Sequence, residues 1–413
     1  MRTYVRSFFL HSTKASYCTL AIIEYICATM RNLIILLFIL LLPLVAVAEG
    51  RGFNLIVVGD PQPQTEDQLS RLEQDIIPKI RSIVDEYADS GYPTAILLTG
   101  DVVWDTVEFL PRIKQTFESL GVEVYAVIGN HDHDREVKYN EPLAESHYIA
   151  TFGSKNYSLK IGNTHFFALD NISFNSYDDY SINVDKEQLK WLKKEIKATP
   201  RTSRIAIMMH APATDFRTGE LMRYARRITR LAARRELHFI TGHRHRHATA
   251  DITSSIIEHS VAQVNGNLWF APICADGTPQ GVFCIEERDN EWQWHHRTLQ
   301  NDTPQTIVAY PAGSVNEYEN SVVIKVIGWD SKWSIKWSEN GITKGDMEQI
   351  EIIDPDYIQY VEQEADYNDV IMERLRRSAR PANHYFRCRP TSQNSHITIT
   401  ATDRFGRCHT VVV

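Results

Sequence analysis

Short apolar runs alternate with longer amphipathic segments over most of this 413-residue chain, and this alternation limits the possible folds more than any other feature. Residues 53–58 and 95–98 are apolar runs of strand length. Between them, residues 66–88 repeat apolar side chains at helical spacing, and Pro78 predicts a kink in that helix. Strands that alternate with helices are typical of layered α/β domains. The sequence therefore predicts an α/β domain over residues 49–299.

Local signals support individual elements of this domain. Gly162-Asn163 lies between two strand-like runs and predicts a hairpin. Asp185 predicts the N-cap of the next helix. Further strands are expected at 122–128, 205–209 and 237–241, and further helices at 107–120 and 218–235.

Beyond residue 300 the pattern changes to short β-branched or alternating runs separated by Gly, Pro, Asn and Asp. The runs are 305–310, 321–328, 332–338, 395–401 and 408–413. They predict a small β-rich domain, resembling a β-sandwich, over residues 300–413. Part of the charged segment 355–382 is expected to be helical.

The N-terminal region predicts export. Residues 30–48 combine a short basic start, an apolar run and an Ala-Val-Ala cleavage site, which together indicate a signal peptide. Residues 1–29 are interpreted as a start-site artefact. A secreted or periplasmic protein with no transmembrane helix after cleavage is expected, and the alternative is an uncleaved signal anchor. In an oxidising compartment, a disulfide between Cys388 and Cys408 is expected, and the alternative is that all four cysteines after residue 48 are free, buried thiols.

Five polar clusters follow directly on predicted strands. They are Gly59-Asp60-Pro61-Gln62, Gly100-Asp101, Gly129-Asn130-His131-Asp132, His210 and Gly242-His243-Arg244-His245. Ligand sites of open α/β sheets lie at the carboxyl ends of the strands, so we expect the five clusters to meet in one crevice. Glycine before an Asp or His allows the backbone to turn sharply there.

The side chains of these clusters suit divalent metals. They offer carboxylates, imidazoles and amides but no thiolate, which favours manganese, iron or zinc. Two such ions about 3.5–4 Å apart can clamp the attacking and leaving oxygens of a phosphoryl group.

The order of the clusters resembles that of calcineurin-like metallophosphoesterases: Asp-x-(His or Gln), Gly-Asp, Gly-Asn-His-Asp, His, Gly-His-x-His. The resemblance covers residues 53–299 and implies a four-layer α/β/β/α sandwich with two divalent metal ions. By position, it implies that the first ion is bound by Asp60, Gln62 and His245, that the second is bound by Asn130, His210 and His243, and that Asp101 bridges both.

The resemblance also implies catalytic roles. His131 would face the substrate phosphate and protonate the leaving group, and Asp132 would orient the imidazole. The C-terminal region resembles, more loosely, a β-rich module attached to secreted phosphoesterases, on the basis of Gly281 to Trp294 and Gln305 to Pro311.

One cluster departs from the family pattern, because Gln62 stands where His is usual. A subgroup with Asp-Pro-Gln is known, and its Gln would offer a neutral carbonyl oxygen to the first metal. The alternative is that Gln62 is a turn residue only.

Several neighbouring residues have two interpretations. His247 extends the run of alternate histidines and is either a further ligand or a flanking residue, with the family pattern favouring the second. Trp104 and Asp105 either reach the substrate or belong to the loop only, and the same holds for His133 and Asp134. Substrate specificity is expected in the loops 133–147 and 171–183.

The leading hypothesis is a secreted phosphoesterase that cleaves a phosphate mono- or diester with a metal-bridging hydroxide. A phosphorylated small molecule, a nucleotide or a phospholipid is the expected substrate. The alternative is a cell-surface binding protein with a weakened metal site and a glycan- or polymer-binding β domain. The net charge of −8, with charges of both signs mixed along the chain, does not indicate a nucleic-acid surface.

Overall fold

A computed structural model describes residues 52–215, 218–232, 235–300, 305–392 and 394–413. The predicted signal peptide and the segment 1–29 lie outside the described residues. Among the residues described, no helix is both long and apolar enough to cross a membrane. The described residues belong to one compact unit.

Two mixed β-sheets form the centre of the first domain. Their strands, together with a separate two-stranded hairpin of β6 and β7, are β1 (Phe53–Val58), β2 (Thr94–Leu98), β3 (Glu123–Ala126), β4 (Tyr157–Ile161), β5 (Thr164–Ala168), β6 (Ile172–Ser176), β7 (Asp179–Ile182), β8 (Arg204–Met208), β9 (Leu237–Thr241), β10 (Ala248–Thr253), β11 (Ile256–Ser260), β12 (Gly281–Arg288) and β13 (Glu291–Thr298). The first sheet has the order β13-β12-β1-β2-β3, and the second has the order β10-β11-β9-β8-β5-β4.

Within each sheet the strands that precede the predicted polar clusters run in parallel. β1, β2 and β3 are parallel neighbours in the first sheet. β5, β8 and β9 are parallel neighbours in the second. Their carboxyl ends therefore lie at one edge of each sheet, where ligand sites of such sheets are expected.

Helices cover the outer faces of both sheets. They are α1 (Glu66–Arg71), α2 (Ile77–Ala88), α3 (Leu110–Glu118), α4 (Glu141–Ala144), α5 (Ser146–Phe152), α6 (Lys186–Ala198) and α7 (Arg223–Ala232). The Asp185 side chain caps α6 as predicted, by accepting a hydrogen bond from the backbone N–H of Gln188.

Three apolar layers hold this arrangement together. Between the sheets, Leu55 and Val57 of the first sheet belong to the same cluster as Phe166 and Ala206 of the second. Leu69 and Ile80 pack the helices 66–88 on the first sheet, and α6 and α7 cover the second sheet in the same way. The expected four-layer α/β/β/α sandwich is confirmed.

The predicted kink near Pro78 is a π-helical turn. Residues Leu72–Ile76 form five residues of π-helix between α1 and α2, and Pro78 lies in the first turn of α2. Proline has no N–H, and its ring collides with the carbonyl four residues earlier in a regular α-helix. The wider turn immediately before Pro78 is consistent with relief of that collision.

The C-terminal region is built from two four-stranded antiparallel sheets. Their strands are β14 (Ile307–Tyr310), β15 (Val322–Val326), β16 (Ser334–Glu339), β17 (Ile342–Asp346), β18 (Glu348–Ile352), β19 (Ala382–Cys388), β20 (Ile397–Thr402) and β21 (Cys408–Val412). The orders are β14-β15-β19-β18 and β17-β16-β20-β21. One apolar cluster joins the two sheets, as in a β-sandwich, and the five predicted strands are present.

The segment between β18 and β19 contains two α-helices, with a π-helical turn at Tyr360–Glu364 between them, as the charged composition suggested for part of it. They are α8 (Pro355–Gln359) and α9 (Asp369–Ser378). Tyr357 and Leu375 from these helices pack in one cluster with Ala271 and Ile273 of the first domain. The helices therefore connect the β-rich region to the first domain.

The expected disulfide is wrong. All four cysteines of the described chain are free. Cys388 is buried between the two C-terminal sheets and lies in β19 opposite Val322, whereas Cys408 is exposed in β21 opposite Thr402. The two thiols therefore belong to different sheets, with one inside the sandwich and one outside.

Candidate metal centre

The polar clusters predicted from the sequence meet at the carboxyl ends of the parallel strands. Asp60 and Gln62 follow β1, Asp101 follows β2 and Asn130 follows β3. On the second sheet His210 follows β8, and His243 and His245 follow β9. Side chains from the two sheets contact each other, because Asp60 lies against His245 and Asp101 lies against His210, so the crevice is formed between the sheets.

The backbone at these positions is unusual. Five of the predicted ligands have positive φ angles: Asp60 (31°), Gln62 (43°), Asp101 (46°), His243 (67°) and His245 (55°). For residues other than glycine this conformation costs roughly 1–3 kcal/mol each, and such residues cluster at functional sites. The strained backbone at these five positions therefore directs the side chains towards the same crevice.

Two of the predicted glycines are needed because other groups approach closely. A Cβ atom on Gly129 would lie 2.2 Å from Asp101 Oδ1, and a Cβ atom on Gly242 would lie 2.2 Å from Asp60 Oδ1. Neither distance is sterically possible without movement. At these two positions glycine makes room for the carboxylates.

Two groups of side chains have the geometry of metal sites. Asp60, Asp101 and His245 form one, and Asp101, His210 and His243 form the other. Within each group the ligating atoms lie within 4.8 Å of one another. Asp101 belongs to both groups, as expected for a bridging carboxylate. Buried carboxylates facing imidazoles are a donor set that suits zinc, manganese or iron.

Asp60 is fully buried and held on both oxygens. Its Oδ1 accepts a hydrogen bond of 3.1 Å from the Thr99 hydroxyl, and its Oδ2 accepts one of 2.8 Å from the backbone N–H of His243. The Nε2 atom of His245 lies 3.4 Å from the same Oδ2. Burial raises the pKa of the Asp60 carboxyl to about 7, so positive charge is needed to keep it ionised.

His210 is fixed by a backbone carbonyl. Its Nδ1 lies 2.8 Å from Thr99 O, so Nδ1 carries the proton and Nε2 faces the centre. Nε2 lies 3.3 Å from Asp101 Oδ2 and 3.2 Å from Asn130 Oδ1. Burial alone would lower the pKa of His210, but the Asp101 carboxylate outweighs it and raises that pKa to about 10.

The two histidines after β9 are held neutral. Burial lowers the pKa of His243 to about 4 and that of His245 to about 3. A neutral imidazole has the free lone pair that a metal ligand needs. Both side chains are therefore available for coordination at neutral pH.

A chain of amides sets the orientation of Gln62. The backbone N–H of Leu268 donates to Gln263 Oε1 over 3.1 Å, so Nε2 of Gln263 faces Gln62 and donates to its Oε1 over 2.5 Å. The Nε2 of Gln62 then donates to Asp101 Oδ2 over 2.8 Å. Gln62 thus presents an N–H to the centre, which differs from the ligand role predicted for its carbonyl oxygen. A backbone N–H can only donate, and it fixes the direction of the whole chain.

The His131 imidazole has a different partner from the one predicted. Its Nδ1 lies 2.7 Å from Asp105 Oδ1, whereas both oxygens of Asp132 accept backbone N–H groups, from Val103 at 3.1 Å and Gly129 at 2.8 Å. The contact with His131 that was predicted for Asp132 is therefore made by Asp105, and Asp132 instead connects the backbone of Val103 with that of Gly129. Although burial opposes it, the carboxylates of Asp101 and Asp105 raise the pKa of His131.

The loops expected to set specificity do border the centre. The Tyr177 ring, in the turn between β6 and β7, lies 6.1 Å from the His131 ring, and the Tyr180 ring lies 6.4 Å from the His243 ring. The Arg135 guanidinium lies 4.3 Å from the centre of the Tyr177 ring and 3.2 Å from Asp105 Oδ2. Aromatic and cationic groups therefore stand next to the candidate proton donor.

The C-terminal region also reaches this site. The Arg374 guanidinium of α9 lies 4.5 Å from the centre of the Trp104 ring, and that ring lies 5.6 Å from the His131 ring. Trp104 is only 6% exposed, which leaves little of the indole for stacking on a substrate. The burial of Trp104 therefore does not support the interpretation in which this residue reaches the substrate, while its neighbour Asp105 contacts His131 directly.

His247 lies outside both metal groups. Its ring lies 5.1 Å from the Phe283 ring and 5.7 Å from the His296 ring. It is therefore the flanking residue that the family pattern favoured.

The sequence did not predict the contacts of Thr99 and Gln263 at the centre, or the pairing of Asp105 with His131. Thr99 lies between a predicted strand and a predicted ligand, which is the only local signal for it.

Comparisons with known proteins agree with this geometry. The family described as "Calcineurin-like phosphoesterase" matches residues 53–247, and the family described as "C terminal of Calcineurin-like phosphoesterase" matches residues 258–409. No curated protein sequence matches the chain.

Matching solved structures have low identity. A dimetal phosphatase from Danio rerio is 14% identical with a TM-score of 0.39, and the match covers 67% of this chain and 96% of that chain. A purple acid phosphatase from yellow lupin (Lupinus luteus) is 12% identical with a TM-score of 0.45, covering 62% and 52%. A 5'-nucleotidase precursor from Thermus thermophilus is 11% identical with a TM-score of 0.37, covering 59% and 54%. This chain spans about half the length of the lupin and Thermus proteins.

The converging carboxylates and imidazoles and the two family matches lead to one assignment. The chain carries a calcineurin-like phosphoesterase domain followed by the C-terminal module of that family, and it is a metal-dependent phosphoester hydrolase.

Proposed function

We propose that the protein cleaves a phosphate mono- or diester at a centre of two divalent metal ions. The observation that carries this proposal is the pair of ligand groups that share Asp101. One ion would be held by Asp60, Asp101 and His245, and the other by Asp101, His210 and His243. Asn130, whose Oδ1 lies 3.2 Å from His210 Nε2, would complete the second set. When bound, such ions neutralise charge on phosphoryl oxygens and lower the pKa of water at the centre.

The role we propose for His131 is that of proton donor to the leaving oxygen. Asp105 holds the imidazole by Nδ1, which leaves Nε2 for the substrate. The carboxylates around the ring raise its pKa, which favours the protonated form that an acid needs. The side chain is 21% exposed, so a substrate can reach it. His131 would thus act as general acid, with Asp105 as the positioning residue.

The sequence Asp60-Pro61-Gln62 is proposed to be a functional variant of the usual motif, related to an Asp-Pro-Gln subgroup. Gln62 supports the proposal by donating to the shared carboxylate Asp101 over 2.8 Å. A hydrogen bond to an ionised carboxylate favours its charged form. Gln62 would therefore assist the centre without being a ligand.

Substrate class and location are further parts of the proposal. Arg135, which contacts Asp105, and Arg374, which lies over the Trp104 ring, favour a substrate that carries negative charge beyond the reacting oxygens, such as a nucleotide, a phospholipid or a phosphorylated small molecule. Export is proposed from the signal-like residues 30–48. Fractionation of cells that express the full chain, with N-terminal sequencing of the product, tests the export.

A phosphate-release screen tests the activity. The substrates would be a nitrophenyl monoester, a nitrophenyl diester, nucleoside monophosphates and a phospholipid, each with manganese, iron or zinc. We expect turnover of at least one class that requires added metal. Tight metal binding without turnover of any class would contradict the proposal and favour a surface binding protein.

A further inference from the structure

A second cluster of ligating side chains lies outside the centre described above. One ring nitrogen of His133 and one carboxylate oxygen from each of Glu141 and Glu145 lie within 4.8 Å of one another. His133 follows the loop that carries Asn130 and His131, and the glutamates belong to α4 and the residue after it. None of the three takes part in the proposed reaction.

His133 is in the tautomer of a metal ligand. Its Nδ1 lies 3.0 Å from Gly129 O, and only a protonated nitrogen can bond a carbonyl, so Nδ1 carries the hydrogen. The Nε2 atom then carries a free lone pair. It is buried, and it has no hydrogen-bond partner among the described residues. The residue is 1% exposed, and its ring is stacked 4.5 Å from the Phe174 ring, so Nε2 cannot turn to solvent. Metal-binding histidines commonly donate their other N–H to a backbone carbonyl in this way.

The ionisable side chains around this cluster carry a net negative charge. Lys155 Nζ contacts Glu145, and lies 2.9 Å from Asp170 and 3.9 Å from Glu141. One ammonium thus faces three carboxylates, and when all are ionised two negative charges remain. Glu145 and Asp170 are largely buried, with 12% and 3% side-chain exposure, so solvent screens that excess weakly.

We propose that His133, Glu141 and Glu145 bind an additional divalent cation, outside the phosphoesterase centre. One imidazole and two carboxylates suit zinc or manganese. Lys155 keeps Asp170 as its partner when the cation takes the glutamates. The Glu141 side chain is 33% exposed, which leaves room for water as a further ligand. The cation would tie the loop of His131 to α4, and would therefore support the loop without taking part in the chemistry.

Two substitutions separate this proposal from a simple ion pair. Glu145→Gln removes a ligand, and Lys155→Met removes the competing ammonium. We expect Glu145→Gln to bind one metal equivalent fewer than the wild type, and Lys155→Met to keep all equivalents with tighter binding. Elemental analysis of the dialysed proteins measures the content, and thermal melting with and without zinc or manganese measures the stabilisation. Glu123→Gln, at an exposed position at the start of β3, is the matched control for loss of a carboxylate.

The outcomes are distinct. Equal metal content in the wild type and in Glu145→Gln would overturn the proposal. The proposal would also be overturned if Glu145→Gln and Lys155→Met lowered the melting temperature equally, both with and without added metal. An ion pair alone would give that result. If Glu145→Gln does not fold, Glu141→Gln, whose side chain is a third exposed, repeats the test. If the two catalytic metals of the proposed function are not bound, the wild type and all variants, including the control, lack those two equivalents alike, whereas the difference of one equivalent between the wild type and Glu145→Gln remains.

Discussion

Replacement of Asp105 by Asn should impair proton donation by His131 while both catalytic metals remain bound. The Asp105 Oδ1 atom lies 2.7 Å from His131 Nδ1, which is the length of a charge-assisted hydrogen bond. Hydrogen bonds to charged groups contribute about 1.5–3 kcal/mol, which corresponds to a roughly 10- to 150-fold loss of kcat/KM if the bond holds the imidazolium in place.

The loss should depend on the substrate and on pH. Alkyl phosphates need protonation of the leaving oxygen and should show the full loss, whereas nitrophenyl phosphates should show little. The Asp105 carboxylate raises the pKa of His131, so its removal should lower that pKa. Because His131 acts in its protonated form, activity falls as pH rises through this pKa, and the alkaline limb should move to lower pH. The measurement is kcat/KM for both substrates as a function of pH, with metal content determined in parallel.

Asp132→Asn is the matched control, because it makes the same chemical change at a buried carboxylate that contacts backbone N–H groups instead of His131. It should cost about 1–3 kcal/mol of folding stability, as expected for a buried group left unpaired. It should leave the ratio of the two substrates unchanged. If Asp132→Asn altered that ratio and Asp105→Asn did not, the assignment of Asp105 as the positioning residue would be refuted.

Three further substitutions test other parts of the site. Gly242→Ala would place a Cβ atom 2.2 Å from Asp60 Oδ1 and displace that carboxylate. Metal-dependent turnover should fall at least tenfold, which corresponds to about 1.4 kcal/mol. An unchanged rate would mean that the loop adapts. Arg374→Ala removes an exposed cation 4.5 Å from the Trp104 ring, and should raise KM for an anionic substrate with little change in kcat, whereas Arg377→Ala in the same helix should not. Gln263→Leu leaves Gln62 Oε1 without its donor, and should lower the free energy of unfolding in chemical denaturation by about 1–3 kcal/mol; unchanged stability would argue against the amide chain.

The position of the metal centre was predictable from local sequence. Short apolar runs marked the strands, and each polar cluster followed one of them directly. Parallel strands bring their carboxyl ends to one edge, so the clusters had to meet. Asp60, Asp101, His210, His243 and His245 accordingly lie in the two ligand groups.

The partners of the ligands were not predictable in the same way. Asp132 is adjacent to His131 in sequence, but the turn that they share points their side chains to different neighbours, and Asp105 comes from another loop. The orientation of Gln62 depends on Gln263, which is 201 residues away. Such contacts are set by tertiary packing, and no local periodicity reports on them.

The C-terminal strands show a similar limit. β17 carries Lys344 and Gly345 and is largely exposed, so it lacks the alternation that identified its neighbours. The predicted disulfide failed for a related reason. Spacing along the chain does not show which sheet a strand joins, and Cys388 and Cys408 are in different sheets.

Metal content measured on three proteins in parallel tests the central claim, that Asp101 is shared by two metal sites. His245→Ala removes a ligand of one group, and Asp101→Asn weakens both. Relative to the wild type, we predict that His245→Ala loses one equivalent, that Asp101→Asn loses two, and that Asp101→Asn releases no phosphate above background. Loss of one equivalent or none in Asp101→Asn, together with near-normal turnover, would contradict the account.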